Sequence, residues 1–356
     1  MLPAHDRGSV VAGVGIRVTG GIMRDHGSWR VLERSVLVLG MLALAGPVRA
    51  LARPQAPAAQ TRASSCDRAC LDGLMDRYLA ALAAKDPARL PLAGHVKFTE
   101  NGQRLELGDG LWGTIDRLGR FKLEFADPVS GEVGYFGTIE ESGRHQILGV
   151  RLKIRHRKIT EIETWVVRPQ PGVVFGDPQA LKVDPLFVTA LKPSERRTRA
   201  QLIRIANSYF EGLRRATGAV TPFAADCQRI ENGIVTANNP NPHPQMKMWH
   251  LGCHAQFASR FSQFITGIRD RRFPIVDVRR GLVLALVFFD QNGRMKKQTL
   301  ADGTVSPVPP DMQVPYTFQI EELFKIENGK IRRILALVNP VPYHMRSGWG
   351  DTGLDP

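Results

Sequence analysis

The chain has 356 residues, 43% of them hydrophobic and 23% charged, so it can bury sizeable cores and is long enough for two ordinary domains. Its formal charge of +14 admits an anionic envelope or matrix polymer as a partner, against the plainer reading of arginines scattered over a solvated surface. No Lys/Arg run with interleaved aromatic residues accompanies that charge, which counts against nucleic-acid recognition.

In chain order, the first feature is an apolar run from Val36 to Gly46, preceded by Arg30 and Arg34 and followed by the small-x-small pattern Ala50-Leu51-Ala52. At about eleven residues it is too short to span a bilayer, and it suits a signal peptide over 1–52 with Met23 as a candidate start. Residues 53–65, rich in Pro, Ala and polar residues, read as a disordered leader. No later run is long enough to form a transmembrane helix, so the mature chain is expected to be exported, periplasmic or secreted. Export makes the four cysteines disulfide candidates. Of three possible connectivities the local pairs Cys66–Cys70 and Cys227–Cys253 are favoured, with a bridge between the halves as the alternative. A metal site at Cys253 among His243, His250 and His254 is the rival, but the spacing matches no standard zinc pattern.

From Cys66 to Lys85 apolar residues fall at Leu71, Leu74, Met75, Tyr78, Leu79 and Leu82, the three–four spacing of a helix that Asp86-Pro87 ends. Arg199 to Arg215 repeats it with Leu202, Ala206, Tyr209, Phe210 and Leu213. Tyr78 and Tyr209 are 131 residues apart, and the tripeptides Glu100-Asn101-Gly102 and Glu231-Asn232-Gly233 are separated by the same 131. The correspondence continues at an offset of 150, with Asp127 and Gly131 matching Asp277 and Gly281. It ends at an offset of 172, with Lys153-Ile154 and Lys158-Ile159 matching Lys325-Ile326 and Lys330-Ile331. The growing offset places proline-rich insertions in the second half, around Asn238–Pro244 and Pro307–Pro315, where loops can cover a pocket mouth.

Each half thus reads helix, short hairpin, short helices, then a run of strands. Asn-Gly pairs at 101–102, 232–233, 292–293 and 328–329, with Ser142-Gly143, are antiparallel turn signals. The reading is an α+β chain with one domain over 66–168, a linker over 169–194, a second domain over 195–345 and a tail over 346–356. The linker is assigned from Pro169, Pro171, Pro178 and Pro185 and the lack of any clear period.

This order of elements, with the Cys-helix-Tyr-Glu-Asn-Gly pattern and Arg269-Asp270-Arg271-Arg272 before Asp277 and Gly281, resembles the nuclear transport factor 2-like superfamily and an uncharacterised exported group within it. That superfamily includes the SnoaL-like cyclases and ketosteroid isomerases. The resemblance implies two tandem cone-shaped domains, each a curved antiparallel sheet wrapped around N-terminal helices with one open end. It also implies pairing through the outer sheet face, hence a homodimer, and a pocket where a carboxylate base works with a Tyr, Asp or His donor. One fold hosts many chemistries, so the resemblance is nearly silent on the reaction.

Carried over residue by residue, Tyr209 is the hydrogen-bond donor, Glu231 and Asp277 are the carboxylates, and Arg269 holds an anionic substrate group, forming the expected catalytic set. Asn232, Arg271, Arg272, Tyr78 and Glu100 are the expected substrate-binding residues. The plainer readings are core tyrosines, turn-forming Asn-Gly and Asp residues, and a solvated charged strand. No Gly-rich phosphate loop, nucleophile elbow or His-Glu-x-x-His motif occurs, which counts against nucleotide use and serine or zinc hydrolysis. The expectation is a site for a small organic molecule, with cofactor-free lyase, dehydratase or isomerase chemistry. A non-catalytic binding or envelope-interaction module is the alternative.

Overall fold

A computed structural model describes residues 66–170, 174–243 and 246–349. The signal peptide and leader expected over 1–65, and the tail beyond 349, lie outside the described residues.

Asp67 accepts a hydrogen bond from the Cys70 amide and starts helix α1 (Arg68–Ala83). The predicted apolar positions Leu71, Leu74, Met75, Tyr78, Leu79 and Leu82 are its buried face. The strands β1 (Leu92–Glu100) and β2 (Gln103–Arg104), the single helical turn α2 (Leu111–Thr114), and the strands β3 (Ile115–Asp127), β4 (Glu132–Glu141), β5 (Arg144–Arg155) and β6 (Lys158–Val167) follow. They form one six-stranded sheet in the order β2-β1-β6-β5-β4-β3. Its pairs are antiparallel except β1 with β6, which brings the first long strand alongside the last.

After the short helix α3 (Pro185–Val188), the second half repeats this order. Its elements are α4 (Arg199–Arg214), β7 (Phe223–Glu231), β8 (Ile234–Ala237), α5 (Cys253–Ala258), β9 (Gly267–Asp277), β10 (Leu282–Gln291), β11 (Lys297–Thr299), β12 (Val305–Pro307), β13 (Tyr316–Glu327) and β14 (Lys330–Val341). The second six-stranded sheet has the order β8-β7-β14-β13-β10-β9, again with one parallel pair, β7 with β14. α1 shifted by 131 coincides with α4, β4 shifted by 150 with β10, and β5 shifted by 172 with β13. The insertions form the stretch around α5 and the small hairpin β11–β12.

At Asn101-Gly102, Ser142-Gly143, Asn232-Gly233 and Asn328-Gly329 both residues have positive φ, as two-residue hairpins of the primed type require. Asn292-Gly293 departs from the expectation. Only Gly293 has positive φ, and the chain there leaves the sheet for the β11–β12 insertion instead of turning back.

Each sheet has two buried faces. One face packs on its own helix; α4, for example, lies against β9, β10, β13 and β14, with Tyr209 and Phe210 clustered with Phe324, Ile331 and Ile334. The other face packs on the opposite half, where Phe125, Phe136 and Trp165 join Leu284, Leu323 and Leu335 in one apolar layer. This explains why β10 is buried along its whole length, with neither face left to solvent. The outer sheet face that the resemblance offers to a second copy is therefore used here between the halves of one chain. Phe187, Phe175 and Leu181 of the expected linker also enter that layer, so the segment is packed despite its lack of period.

Two buried ion pairs clamp the seam reciprocally. Arg68 at the start of α1 binds Asp277 at 2.8 Å, and Arg199, at the equivalent position of α4, binds Asp127. Each helix thus grips the hairpin aspartate of the other half, the self-complementary pattern of a two-fold interface. Both local disulfides are formed, Cys66–Cys70 and Cys227–Cys253, with Cα separations of 5.2 and 5.8 Å. Cys253 is thereby removed from any thiolate metal site. Among the described residues no helix is long and apolar enough to cross a membrane.

Candidate functional site

The chemistry-bearing groups of the second half converge on Arg229. Strand geometry puts Arg229 and Glu231, two residues apart on β7, on one face of the sheet. The Arg229 guanidinium reaches Glu231 at 2.8 Å, the Thr236 hydroxyl on β8 at 3.0 Å and the Gln256 carbonyl oxygen on α5 at 2.8 Å. A fourth contact goes to the Tyr209 hydroxyl at 3.5 Å. Gln256 donates in turn to the backbone oxygens of Thr236 and Met248, so the first insertion is knitted into the cluster. The Cys227–Cys253 bond fixes the start of α5 to β7 beside it.

Glu322 on β13 completes the group. It is 2% exposed and hydrogen-bonded to Tyr209. Burial pushes its carboxyl up to about 8, against the opposing pull of the Tyr209 bond and of Arg229. Its Oε2 has no partner among the described residues. Burial likewise raises the Tyr209 phenol well above its ordinary range. The charge balance follows: Arg229 is matched by Glu231, while the upward shift of Glu322 favours its neutral form, which can donate. Two neutral donors, a phenol and a carboxylic acid, therefore meet beside a buried guanidinium.

The space around them is packed. Phe210, Phe223, Phe257 and Phe324 surround the Tyr209 ring at centroid distances of 5.0–6.2 Å. Two cavities open elsewhere: one of about 360 Å³ beside α4, lined by Arg197 and Arg204, and one of about 280 Å³ against β3 and β4. None of the cluster's side chains lines either cavity. Around Tyr209 the expected interior is occupied by aromatic rings, and Gln256 engages the Arg229 donors beside it.

Of the residues singled out in the sequence, Tyr209 and Glu231 lie together in this cluster. Asp277 does not join them: it is buried in the seam, where it binds Arg68 and caps the Arg280 amide. Arg269 is engaged elsewhere too, gripping Asp290 with Nε and Nη2 and donating to the Met345 carbonyl at 2.7 Å. Arg271 binds Glu211 and Asn207. Arg272 spans the seam to Glu163. Asn232 is architecture, since its side-chain amide ties the β7–β8 turn to both backbone groups of Val338 and to the Val174 carbonyl. Asn101 ties its own turn to Val166 in the same way.

The first half has Tyr78 and Glu100 at the equivalent places but not their chemistry. Phe98 stands where the second half has Arg229, and Val150 where it has Glu322. Tyr78 packs edge-on against Trp112 and meets the Thr164 hydroxyl at 3.4 Å. Glu100 accepts from the Leu111 amide at 2.7 Å and from Arg168, tying α2 to the sheet. Sequence reasoning missed Arg229, Glu322 and Gln256. The signal available for the first two was a charged residue in one repeat facing an apolar one in the other.

Residues 195–338 match a domain of unknown function (DUF8021). No curated protein matches the chain. Among solved structures, a de novo designed protein with a curved β-sheet is 18% identical, covering 29% of this chain and 88% of its own, with a TM-score of 0.24. A protein from Sphaerobacter thermophilus is 13% identical over 27% of this chain and 94% of its own, TM-score 0.22. A protein of unknown function with a cystatin-like fold from Methylobium petroleophilum PM1 is 14% identical over 36% and 99%, TM-score 0.25.

Proposed function

We propose that this is an exported protein made of two fused nuclear transport factor 2-like units, and that the second unit acts on a small organic molecule through acid–base chemistry. Glu322 carries the reading. A fully buried carboxyl that stays protonated at pH 7, bonded to a phenol and with one oxygen unpartnered, is a costly arrangement that donor chemistry explains. Once their mutual hydrogen bond is exchanged for substrate, Tyr209 and Glu322 would each donate to a substrate carbonyl or hydroxyl oxygen and stabilise negative charge developing there, with Arg229 adding a fixed positive field. Glu231, at 27% side-chain exposure, is the group placed to take a proton once its bond to Arg229 is exchanged for substrate. Such a set suits lyase, dehydratase or isomerase reactions. Access requires the Gln256 side chain and the stretch before α5 to move, because Gln256 occupies the Arg229 donors. Export is supported by the two disulfides, which persist in oxidising compartments.

A second reading is favoured by the filled interior: a non-catalytic module in which the cluster holds α5 in place. One experiment separates the two. The mature protein and the Glu322→Gln variant are purified in parallel, and bound small molecules are identified by native mass spectrometry. A carbonyl- or hydroxyl-bearing ligand retained by the wild type and lost from the variant supports the first reading; identical, ligand-free spectra from two equally stable proteins support the second.

A further inference from the structure

The equivalent corners of the two sheets, where the edge strand pairs with the end of its neighbour, are built differently. In the second half this corner is full. Arg269 on β9 lies on the Phe288 ring at 5.0 Å, binds Asp290 and Asp270, and donates to the Met345 carbonyl beyond β14, with His344 3.7 Å from Asp290. In the first half the residues at the places of Arg269, Phe288 and Asp270 are Gly119, Thr138 and Arg120. Two large side chains have been replaced by small ones and an acid by a base. Gly119 approaches Thr138 so closely that a Cβ would lie 2.1 Å from its hydroxyl, so a side chain cannot be regained there without rearrangement.

What remains is the cavity of about 280 Å³, bounded by β3, β4, His145 and the linker residues Pro178 and Gln179. That volume approaches the size of ordinary small-ligand sites. Its charges are two guanidiniums, Arg117 and Arg120, against one carboxylate, Glu140. Arg117 pairs with Glu140, and His145 stands 3.9 Å from the same carboxylate. Arg120 has no partner among the described residues. The Thr138 hydroxyl accepts from the Phe121 amide at 3.3 Å, which leaves its own proton to donate.

We propose that this cavity is a binding site for a small carboxylate, with Arg120 and the spare donors of Arg117 holding the charged group, Thr138 donating to it, and Leu118 and Pro178 flanking its apolar remainder. At the equivalent corner of the second half an arginine also holds an oxygen, since Arg269 there donates to the Met345 carbonyl. The site is distinct from the Glu322 cluster and does not depend on it.

The test uses benzoate as the probe and benzamide as its neutral counterpart, titrated calorimetrically into the mature protein at low salt. Benzoate is expected to bind at least about tenfold more tightly than benzamide, the factor expected for one charge-assisted contact. Arg120→Asp, an exposed change that keeps the melting temperature, should remove most of that advantage, and Arg120→Lys should retain part of it. Arg204→Asp, in the larger cavity beside α4, should leave benzoate affinity unchanged. Equal binding of the two probes, no benzoate binding, wild-type affinity in Arg120→Asp, or loss in Arg204→Asp would each overturn the assignment.

Discussion

In the first half the place facing Tyr78 is lined by Phe98 and Val150; in the second, the equivalent place facing Tyr209 is lined by Arg229 and Glu322. The helices, the sheet order and the reciprocal Arg–Asp seam pairs of the two halves correspond, so this difference lies in what the sheet presents to its helix. Burying a guanidinium and two carboxyls is generally no more stabilising than a well-packed apolar core. The first half shows that this fold closes with apolar residues. The cluster of the second half is therefore not demanded by the architecture, and that is the ground for assigning function to it.

The largest expected effect comes from breaking the cluster on one side only. Arg229→Ala leaves Glu231 and Gln256 without their shared partner and should cost about 3–5 kcal/mol in urea denaturation. Installing the first half's residues together, Arg229→Phe with Glu322→Val, should recover most of that loss. If the double variant is as unstable as the single, the two interiors are not interchangeable and the comparison fails. Next comes the covalent link: Cys227→Ser with Cys253→Ser opens a loop of sequence separation 26 and should cost about 3.5 kcal/mol in thermal or chemical denaturation. Losing Cys66–Cys70, with a separation of 4, should cost less, about 2 kcal/mol on the same loop-entropy argument.

The seam gives a smaller effect that sharpens the symmetry. Arg68→Ala strands the buried Asp277, and Arg199→Ala strands the buried Asp127; each should cost about 2 kcal/mol. Asp127 keeps amide donors from Val129 and Val276, so Arg199→Ala should be the milder of the pair in a denaturant series.

Taken per pH unit, the pH dependence is gentler still. Glu322 has a folded pKa of about 8 against an ordinary 4.5, so the native state keeps a proton that the unfolded chain releases. Its stability term is intact below about 4.5 and is lost as pH rises toward 8, at about 1.4 kcal/mol per pH unit. Glu321 contributes in the same direction, since burial and the nearby Glu163 raise it while Arg151 and Arg272 oppose the rise. Denaturation midpoints between pH 5 and 8 should therefore fall in the wild type and fall less steeply in Glu322→Gln.

Glu321 and Glu322 also show where sequence reasoning stopped. The duplication was legible because its offsets are set by helix spacing and turn chemistry, which are local. The disulfide pairs were legible for the same reason. The two glutamates lie in the middle of an apolar strand, and alternation sends them to opposite faces. Only knowledge that both faces are covered, one by α4 and one by the first half, makes both of them buried. Tyr209 and Glu231 stood out because they recur. Arg229 did not, because its counterpart is a phenylalanine and a repeat search rewards identity. Asp277 and Arg269 lie apart from the Arg229 cluster for a reason the sequence does not show: each binds a partner, Arg68 or Asp290, that is distant along the chain.

The most direct measurement is a carbon-13 NMR titration of the glutamate side-chain carboxyls, with Glu322 assigned by its loss in Glu322→Gln. The account predicts that the Glu322 carboxyl is protonated at pH 7 and titrates near 8. A Glu322 carboxyl already ionised at pH 6 would contradict it, and the second half would then hold a structural ion network in place of a donor pair.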